Sequence, residues 1–421
     1  MCGFRQFSTV LLLVAATGLA SIAAAAEAED PPLQQLAAQS YAMKYPVGLE
    51  EATRRMVLQD RASGIDDDLT ALLGDDFAGM WFDSADRGRL KIGLTRAGSA
   101  RGTDITRLIA RYALGEEAQT VPVRFSLAEL TRKQDSIRES LAAVIRAGHA
   151  LTSYNPRLNS VVIETLNTLP AAEETLVRQA AAQEGVTVHR TNATTLVGQT
   201  QSCIVNFCDP PLRGGRFMDG CTAGFMARHN VNTNHILVLT AGHCIAHRGL
   251  SSVWATRDEA QVWHNIGAGY GYTYAGAPGR DAGVIFVNPA GFWGSPGPVP
   301  RVVVKDSPLT TYDPNYKIKK DSGSTLGQWL CYTGGRTGTH CAEVSDLGSD
   351  FVTEENTVLK NLGELDICES LPGDSGSPIY KAKKAHGLLI GGIDSTFHCL
   401  TAFQGVRGAQ AGLNISILLS P

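Results

Sequence analysis

The spacing of apolar and polar residues changes near residue 200. Before it, apolar positions recur at intervals of three and four, the pattern of helices with one buried face, and short apolar runs lie between them. The predicted elements are helices over Leu49–Asp60, Ser136–Ala147 and Pro170–Glu184 and strands over Leu90–Thr95 and Ser160–Leu166. Each strand follows a turn with an aromatic residue and an Asp or Asn, which is a weak internal repeat. The pattern predicts an α+β domain over residues 27–200.

After residue 200 the apolar runs become short, and turns rich in glycine and proline separate them. Gly267–Gly279 and Gly291–Pro300 are two such turns. Short strands bounded in this way are typical of an all-β domain, which we expect over residues 201–421.

The first 26 residues have the composition of a signal peptide. Arg5 gives a positive start, Val10–Ala20 is apolar, and Ala23–Ala26 offers the small residues of a cleavage site. We therefore expect residues 1–26 to direct secretion into the extracellular space and to be removed. The net charge of −4 over 421 residues, without a long basic run, argues against nucleic acid or an anionic membrane as a partner.

The cysteines that remain after removal of Cys2 all lie after residue 200. An even number of cysteines in an exported protein indicates disulfides, although many pairings are possible. The eight are Cys203, Cys208, Cys221, Cys244, Cys331, Cys341, Cys368 and Cys399. A zinc site is the alternative, since His243, Cys244 and His247 are close in sequence, but a second pair of ligands is missing from that spacing.

The turn Pro372–Pro378 carries the strongest sign of chemistry. It places Ser375 between glycines, where the backbone N–H groups of Gly373 and Ser375 can converge to stabilise an oxyanion. A hydroxyl needs a base to become a nucleophile. His243 follows an apolar strand, Ile236–Leu239, and Asp281 precedes another, so both would lie at strand ends. These three groups predict a His-Asp-Ser triad.

The order of these groups separates two classes of hydrolase. An α/β-hydrolase needs G-x-S-x-G and a serine that precedes its acid and histidine. Here Ser377 stands at the second glycine, and both partners precede Ser375. The sequence therefore favours the chymotrypsin order of His, Asp and Ser.

The chain resembles the secreted bacterial serine proteases of the streptogrisin and alpha-lytic protease group. Thr240–Cys244 and Gly373–Gly376 carry the match to chymotrypsin-like proteases at large, while Cys331–Cys341 and Arg213–Gly215 are similar to features of the bacterial group. The resemblance covers residues 201–421, and residues 27–200 are similar to the pro-regions of that group, which act as folding chaperones and inhibitors.

Fold, activity and partners follow from this resemblance as expectations. It implies two six-stranded antiparallel barrels of the chymotrypsin type, with the triad between them and an oxyanion hole made by the Gly373 and Ser375 amides. It also implies protein or peptide substrates, the chain's own pro-region as a partner, no cofactor or metal, and a monomer. The disulfides that it implies are Cys221–Cys244, Cys331–Cys341 and Cys368–Cys399, which leaves Cys203–Cys208.

Departures from the group's pattern concern the substrate pocket. Ser377 replaces a glycine, and Tyr332 replaces an arginine that would pair with Asp374, so that Arg336 becomes a candidate partner. We expect the pocket walls to be formed by Glu369, Asp394, Ser395, Thr396 and Phe397. Two preferences remain open: a carboxylate at Asp394 favours a basic residue, and Phe397 with Thr396 favours an apolar one.

The sequence thus predicts a secreted serine endopeptidase made as a zymogen, cut between about Val197 and Arg216. The alternative is a binding protein of chymotrypsin fold with little or no general proteolytic activity. An intact set of His243, Asp281 and Ser375 argues against that alternative.

Overall fold

The computed structural model describes residues 31–193, 196–198, 211–258, 261–274, 280–295, 297–307, 310–395 and 398–421. The described part before residue 199, here called the N-terminal region, is rich in helices. Its helices are α1 Pro31–Lys44, α2 Leu49–Ala62, α3 Ile65–Leu73, α4 Gly102–Arg111, α5 Leu127–Ser140, α6 Ala142–Arg146 and α7 Ala171–Ala181. Its strands are β1 Phe77–Asp83, β2 Arg89–Leu94, β3 Ala118–Pro122, β4 Ala150–Asn155, β5 Ser160–Leu166, β6 Val186–Thr191 and β7 Val197–Gly198.

The helix predicted over Ser136–Ala147 is the largest departure within this region. The chain enters the helical conformation earlier, because Ser126 and Glu129 form a reciprocal cap at the start of α5. The helix then breaks at Leu141, which separates α5 from α6. The predicted helix therefore joined the end of one helix to the whole of the next.

The N-terminal region contains the same arrangement twice, as the weak sequence repeat suggested. In the first copy β1 and β2 form an antiparallel hairpin, α4 follows, and β3 pairs parallel to β2. In the second copy β4 and β5 form the hairpin, α7 follows, and β6 pairs parallel to β5.

The described part from residue 211 onward, here called the C-terminal region, is mostly β-structure. Its first strands are β8 Phe217–Met218, β9 Cys221–Thr222, β10 Met226–His229, β11 Ile236–Thr240, β12 Val253–Arg257, β13 Trp263–Thr273, β14 Ala282–Phe286, β15 Arg301–Ser307 and β16 Thr310–Lys317. The later strands are β17 Lys320–Asp321, β18 Trp329–Gly334, β19 Gly338–Thr353, β20 Val358–Leu365, β21 Pro378–Lys381, β22 Lys384–Ser395, β23 His398–Gly405 and β24 Ile415–Ile417. The helices are α8 Gly242–Arg248 and α9 Val406–Leu413.

Two sheets organise the C-terminal region. The first has six strands in the order β12-β13-β14-β11-β10-β24, and all of its pairings are antiparallel. The second runs β18-β21-β22-β23-β20-β19 and then continues into β4, β5 and β6 of the N-terminal region. An α+β region followed by a mostly antiparallel β region is thus confirmed.

The junction between the two regions lies at the hairpin of β19 and β20. Leu347 of β19 pairs with Tyr154 of β4, and β7 pairs parallel to the end of β19. One apolar core contains residues from both sides, including Leu130 and Ile163 before the junction and Phe351 and Ile393 after it. The N-terminal region therefore buries apolar surface of the β-rich region, which is the main favourable term in such contacts.

Across the described residues, none of the helices combines the length and the apolar character that a bilayer crossing requires.

Candidate active site

The backbone at the end of β11 places His243 beside Asp281. Thr240 of β11 pairs with Gly283 of β14, so the residues that follow one strand lie beside those that precede the other. Gly242 is required at this point, because a Cβ there would lie 2.2 Å from the carbonyl oxygen of Thr273. The close approach of β13 and β14 to Gly242 fixes where α8 begins and hence where the imidazole lies.

Asp281 holds His243 through both carboxylate oxygens. Its Oδ2 lies 2.6 Å from Nδ1 of the ring, and its Oδ1 accepts the backbone N–H of His243 at 2.7 Å. Both side chains are buried, and the backbone N–H of Asp281 donates to Oε1 of Gln404. A carboxylate that accepts from Nδ1 fixes the tautomer in which Nε2 is free to accept a proton.

Nε2 of His243 is buried and makes no hydrogen bond to any residue that the structure describes. Ser375 is fully buried, and its Oγ donates to the carbonyl oxygen of Ile390 at 3.0 Å. The two groups are thus unengaged, because the Ser375 hydroxyl does not donate to Nε2 of His243.

The turn that carries Ser375 packs directly against the strand that leads to His243. Thr222 links them: its N–H donates to the Ser375 carbonyl, and its own carbonyl accepts from Oγ1 of Thr240. Gly376 has a φ of 88°, and a Cβ there would lie 2.1 Å from Thr240 Oγ1. Glycine is therefore required on both counts, and any side chain would push the serine turn away from the histidine.

Gly373 and Asp374 shape the same turn. Gly373 has a φ of 105°, a conformation that side chains rarely adopt. Asp374 is fully buried, and its carboxylate accepts the backbone N–H groups of Leu371 at 2.9 Å and Arg336 at 2.9 Å and the hydroxyl of Thr337 at 2.8 Å. These hydrogen bonds stabilise the buried charge.

Arg336, the expected partner of Asp374, binds it through its backbone N–H and not through its guanidinium. The guanidinium of Arg336 donates instead to the carbonyl oxygen of Pro372, at 3.2 Å. Tyr332, which stands where the group has an arginine, is fully buried on β18 of this hairpin, and burial raises its pKa well above the usual value. Backbone amides thus take over the role that a guanidinium would have.

Three disulfides tie these segments together: Cys221–Cys244, Cys331–Cys341 and Cys368–Cys399. They are the pairs that the resemblance implies. The first joins the helix of His243 to β9, and its two sulfurs are bonded to each other, so neither is a free thiolate for a metal although His243 lies beside them. Cys203 and Cys208 lie outside the described residues.

The structure describes three of the five expected pocket residues. The backbones of Asp394 and Ser395 end β22, opposite Cys399 and His398. Glu369 is exposed and accepts the N–H of Cys368. Thr396 and Phe397 lie outside the described residues.

Sequence reasoning missed the part of β22 that lies nearest the serine. Ile390 accepts the Ser375 hydroxyl, and Gly391 and Gly392 follow it. A Cβ at Gly392 would lie 3.1 Å from Oγ of Ser370, which is buried and 3.2 Å from Oγ1 of Thr401. Gly391 and Gly392 could have indicated this part of the strand, because a peptide strand can approach closely where the backbone carries no side chains.

Tyr274 and His247 close another side of the histidine. The ring of Tyr274 lies 6.0 Å from that of His243, and the ring of His247 lies 5.9 Å from it. Glu355 accepts from both of these neighbours, and burial is the largest cause that raises the pKa of Tyr274 to about 12. His247 is four residues after His243 on α8, so helical spacing could have indicated it.

Comparisons with known proteins find similar sequences both for a segment of the N-terminal region and for most of the chain. Residues 50–103 match the family described as alpha-lytic protease pro N-terminal. Serine protease 2 of Streptomyces fradiae is 27% identical over 180 residues, which are 42% of this chain and 88% of that protein. Streptogrisin-C of Streptomyces griseus is 25% identical over 396 residues, which are 91% of this chain and 75% of the relative.

Among solved structures, Thermobifida fusca Protease A covers 49% of this chain and 98% of its own, at 20% identity and a TM-score of 0.38. The relatives by sequence are serine proteases, and the family match lies in the segment expected to be a pro-region. The resemblance to the streptogrisin and alpha-lytic protease group is therefore confirmed, and with it the prediction of a serine-type endopeptidase.

Proposed function

We propose that the chain is the zymogen of a secreted serine endopeptidase. The observation that carries the proposal is the buried His243–Asp281 pair, in which one carboxylate binds both the ring and the backbone of the histidine. Such a pair orients an imidazole so that Nε2 faces a nucleophile. Ser375 supplies the nucleophile, on a turn that packs against the same strand.

The reaction is acyl transfer to Ser375 and then to water. His243 takes the hydroxyl proton through Nε2 as Ser375 Oγ attacks the peptide carbonyl, and then protonates the leaving amine. The backbone N–H groups of Gly373 and Ser375 stabilise the oxyanion; the loss of one such donor typically costs about 2.7–4 kcal/mol. Water attacks the acyl-enzyme with the same base, and the serine is regenerated.

The proposed organisation divides the chain into three parts. Residues 1–26 direct export, residues 27–200 are the pro-region, and residues 201–421 are the protease, in which the two sheets correspond to the two barrels of the chymotrypsin fold. The pro-region continues the second sheet through β4 and β19, which supports a role as a template for folding. Such a template lowers the barrier to a fold rich in non-local strand pairs.

The primary pocket is proposed to lie between Glu369 and the end of β22, with Asp394, Ser395, Thr396 and Phe397 as its wall. The glycine pair after Ile390 would receive the substrate backbone, since no side chain obstructs it. A basic and an apolar preference remain the two candidates for this pocket.

A specific observation favours the second candidate function, a binding protein with little activity. The Ser375 hydroxyl donates to Ile390 and not to His243. In the zymogen this arrangement is the unengaged state, and in a binding protein it would persist after the pro-region is removed.

Labelling with a fluorophosphonate probe decides between the two. We expect the processed protein to be modified at Ser375 and to hydrolyse a denatured protein substrate. Ser375→Ala should abolish labelling and lower turnover on the order of a million-fold, as for other triad deletions. Ser377→Gly is the matched control, since it changes the neighbouring serine to the group's usual residue and should retain activity. Retained activity of Ser375→Ala within tenfold of the unmodified protein would refute the proposal.

A further inference from the structure

The turn between β19 and β20 carries a carboxylate that reaches across to the other sheet. It belongs to Glu355, whose side chain is 53% exposed. Its Oε2 accepts from the hydroxyl of Tyr274 at 3.1 Å, and its Oε1 lies 3.0 Å from Nε2 of His247. Tyr274 directly follows β13, and His247 lies on α8. The contact therefore joins the hairpin of the second sheet to elements beside the first sheet.

These three side chains are here called the Glu355 cluster; its members are Glu355, Tyr274 and His247. The rings of Tyr274 and His247 meet edge to face, with 5.6 Å between their centres. Both rings lie about as far from the ring of His243, at 6.0 Å and 5.9 Å. The cluster therefore lines one side of the space next to His243. A substrate must also lie there if His243 transfers its proton.

Glu355 brings a negative charge to this side of the site. Burial alone would raise its pKa, but the hydrogen bonds from His247 and Tyr274 and the charges of His247 and His243 lower the pKa below its usual value. The carboxylate is therefore ionised at neutral pH. A carboxylate offers about four acceptor positions, so Glu355 can bind a further donor. An ionised carboxylate next to an aromatic ring is a combination that attracts a cation.

The backbone of β7 shows that an extended polypeptide fits beside this turn. Gly198 of β7 pairs parallel with Thr353, the last residue of β19, and β7 also lies beside β22. Because the pairing is parallel, β7 runs in the direction of the turn that holds Glu355. The space between the end of β19 and β22 therefore accepts an extended chain within reach of the Glu355 cluster.

The alternation of side chains along an extended substrate directs one of its residues toward the cluster. Successive side chains of an extended chain point to opposite sides. When one side chain enters the proposed primary pocket at the end of β22, the side chain before it points away from that pocket. We expect it to point toward the side on which Tyr274 and His247 flank His243.

We propose that Glu355 and Tyr274 form a second specificity site, which selects Lys or Arg at the substrate residue that precedes the one in the primary pocket. The inference rests on the proposed function, since it concerns the substrate of the same active site. The cation of that residue donates to Glu355 in a charge-assisted hydrogen bond and lies against the ring of Tyr274. His247 holds the carboxylate in place. This selection is separate from any effect of Asp394, which concerns the primary pocket.

Competition between matched peptides measures the selection. The enzyme processed from the full chain is given internally quenched peptides that carry its preferred residue for the primary pocket, taken from a cleavage profile. The peptides differ only in the preceding residue, which is Lys, Gln or Glu. We expect kcat/KM for the Lys peptide to exceed that for the Gln peptide at least about fivefold at low ionic strength, and the Glu peptide to be the poorest. High salt should decrease this preference, because the carboxylate is partly exposed.

Two neighbouring glutamates give a matched pair of variants. Glu355→Gln keeps the size of the side chain and an acceptor for Tyr274, and it should reduce the Lys-to-Gln ratio of kcat/KM to less than about twofold. Glu354 precedes it in the same turn and is exposed. Glu354→Gln therefore removes the same charge from the same turn, and it should leave the ratio intact. A purely structural role of Glu355 would lower kcat/KM for all three peptides equally and leave the ratio unchanged.

Two results would overturn the inference. One is equal hydrolysis of the Lys and Gln peptides by the unmodified enzyme, and the other is an undiminished ratio in Glu355→Gln. Fluorophosphonate labelling of each preparation separates these results from a failure of the proposed function. An enzyme that is labelled at Ser375 and hydrolyses the Gln peptide without a preference for Lys refutes the second specificity site alone. A preparation that is neither labelled nor active refutes the proposed function and this inference with it.

Discussion

The contact between Arg138 and Asp350 gives the sharpest prediction about how the two regions hold together. Asp350, on β19, is buried, and its carboxylate accepts from the Arg138 guanidinium and from the Thr152 hydroxyl, both at 2.6 Å. Both donors belong to the N-terminal region. Arg138 also donates to the carbonyl of Gly348 at 2.9 Å. Arg138→Leu therefore leaves a buried carboxylate with one hydroxyl as its remaining donor in the N-terminal region.

The expected loss is about 3–5 kcal/mol in the free energy of unfolding, the range for breaking one side of a buried ion pair. Since about 1.4 kcal/mol corresponds to a factor of ten, the regions should separate at least about a hundredfold more readily. Burial raises the pKa of Asp350 and the Arg138 charge opposes this rise. Without that charge the carboxyl protonates more readily, so the loss should be larger at pH 8 than at pH 5.

The assay is urea unfolding of the full chain in a Ser375→Ala background, which prevents self-cleavage, followed by tryptophan fluorescence. Arg132→Leu is the control, because Arg132 is exposed on the same helix, and its cost should stay below about 0.5 kcal/mol. Adding Asp350→Asn to Arg138→Leu should restore much of the loss, since no buried charge then remains. An Arg138→Leu chain within about 1 kcal/mol of the Arg132→Leu chain would refute the reasoning.

Three further predictions concern pH, folding and specificity. Burial raises the pKa of Asp346 to about 7. The stability that its bound proton contributes is complete below about pH 4 and is lost as the pH rises through 7. The urea midpoint of the Ser375→Ala chain should therefore fall from pH 5 to pH 8, and Asp346→Asn should make this fall smaller. Residues 201–421 expressed alone should be recovered inactive and be rescued by residues 27–200 supplied in trans; spontaneous refolding within minutes would contradict this. A peptide-library cleavage profile should change with Asp394→Asn if its carboxylate selects basic residues, and an unchanged profile would remove Asp394 from the pocket.

Local sequence was sufficient to identify the groups that we propose to carry the chemistry. His243 and Ser375 lie in short motifs that residue type alone identifies, with Gly242 before the histidine and Gly376 after the serine. The strand over Ser160–Leu166 was predicted with its observed bounds, since a run of β-branched residues decides it locally. Motifs and runs of one residue class can be read from the sequence directly, although the contacts that require Gly242 and Gly376 come from distant strands.

Features that depend on distant partners escaped prediction. Helix α1 buries Leu33, Ala37, Ala38 and Tyr41, and two of these four are alanines, which do not mark a face as apolar by themselves. The carboxylate of Asp374 accepts from backbone amides of a hairpin nearly forty positions earlier. Almost any residue type can supply a backbone amide, so the sequence does not indicate this contact. The contact between Arg138 and Asp350 likewise joins residues 212 positions apart.

The pairing of β10 with β24 determines when the first sheet of the C-terminal region can be completed during synthesis. Ala227 pairs with Ile417, so the first sheet of the C-terminal region lacks its edge strand until the ribosome has added roughly 190 further residues. At 5–20 residues per second this delay lasts roughly 10–40 s. During it the exposed edge of β10 is open to pairing with a neighbouring nascent chain. The N-terminal region is complete before the delay begins, so it is the first part of the molecule that can fold as the chain emerges.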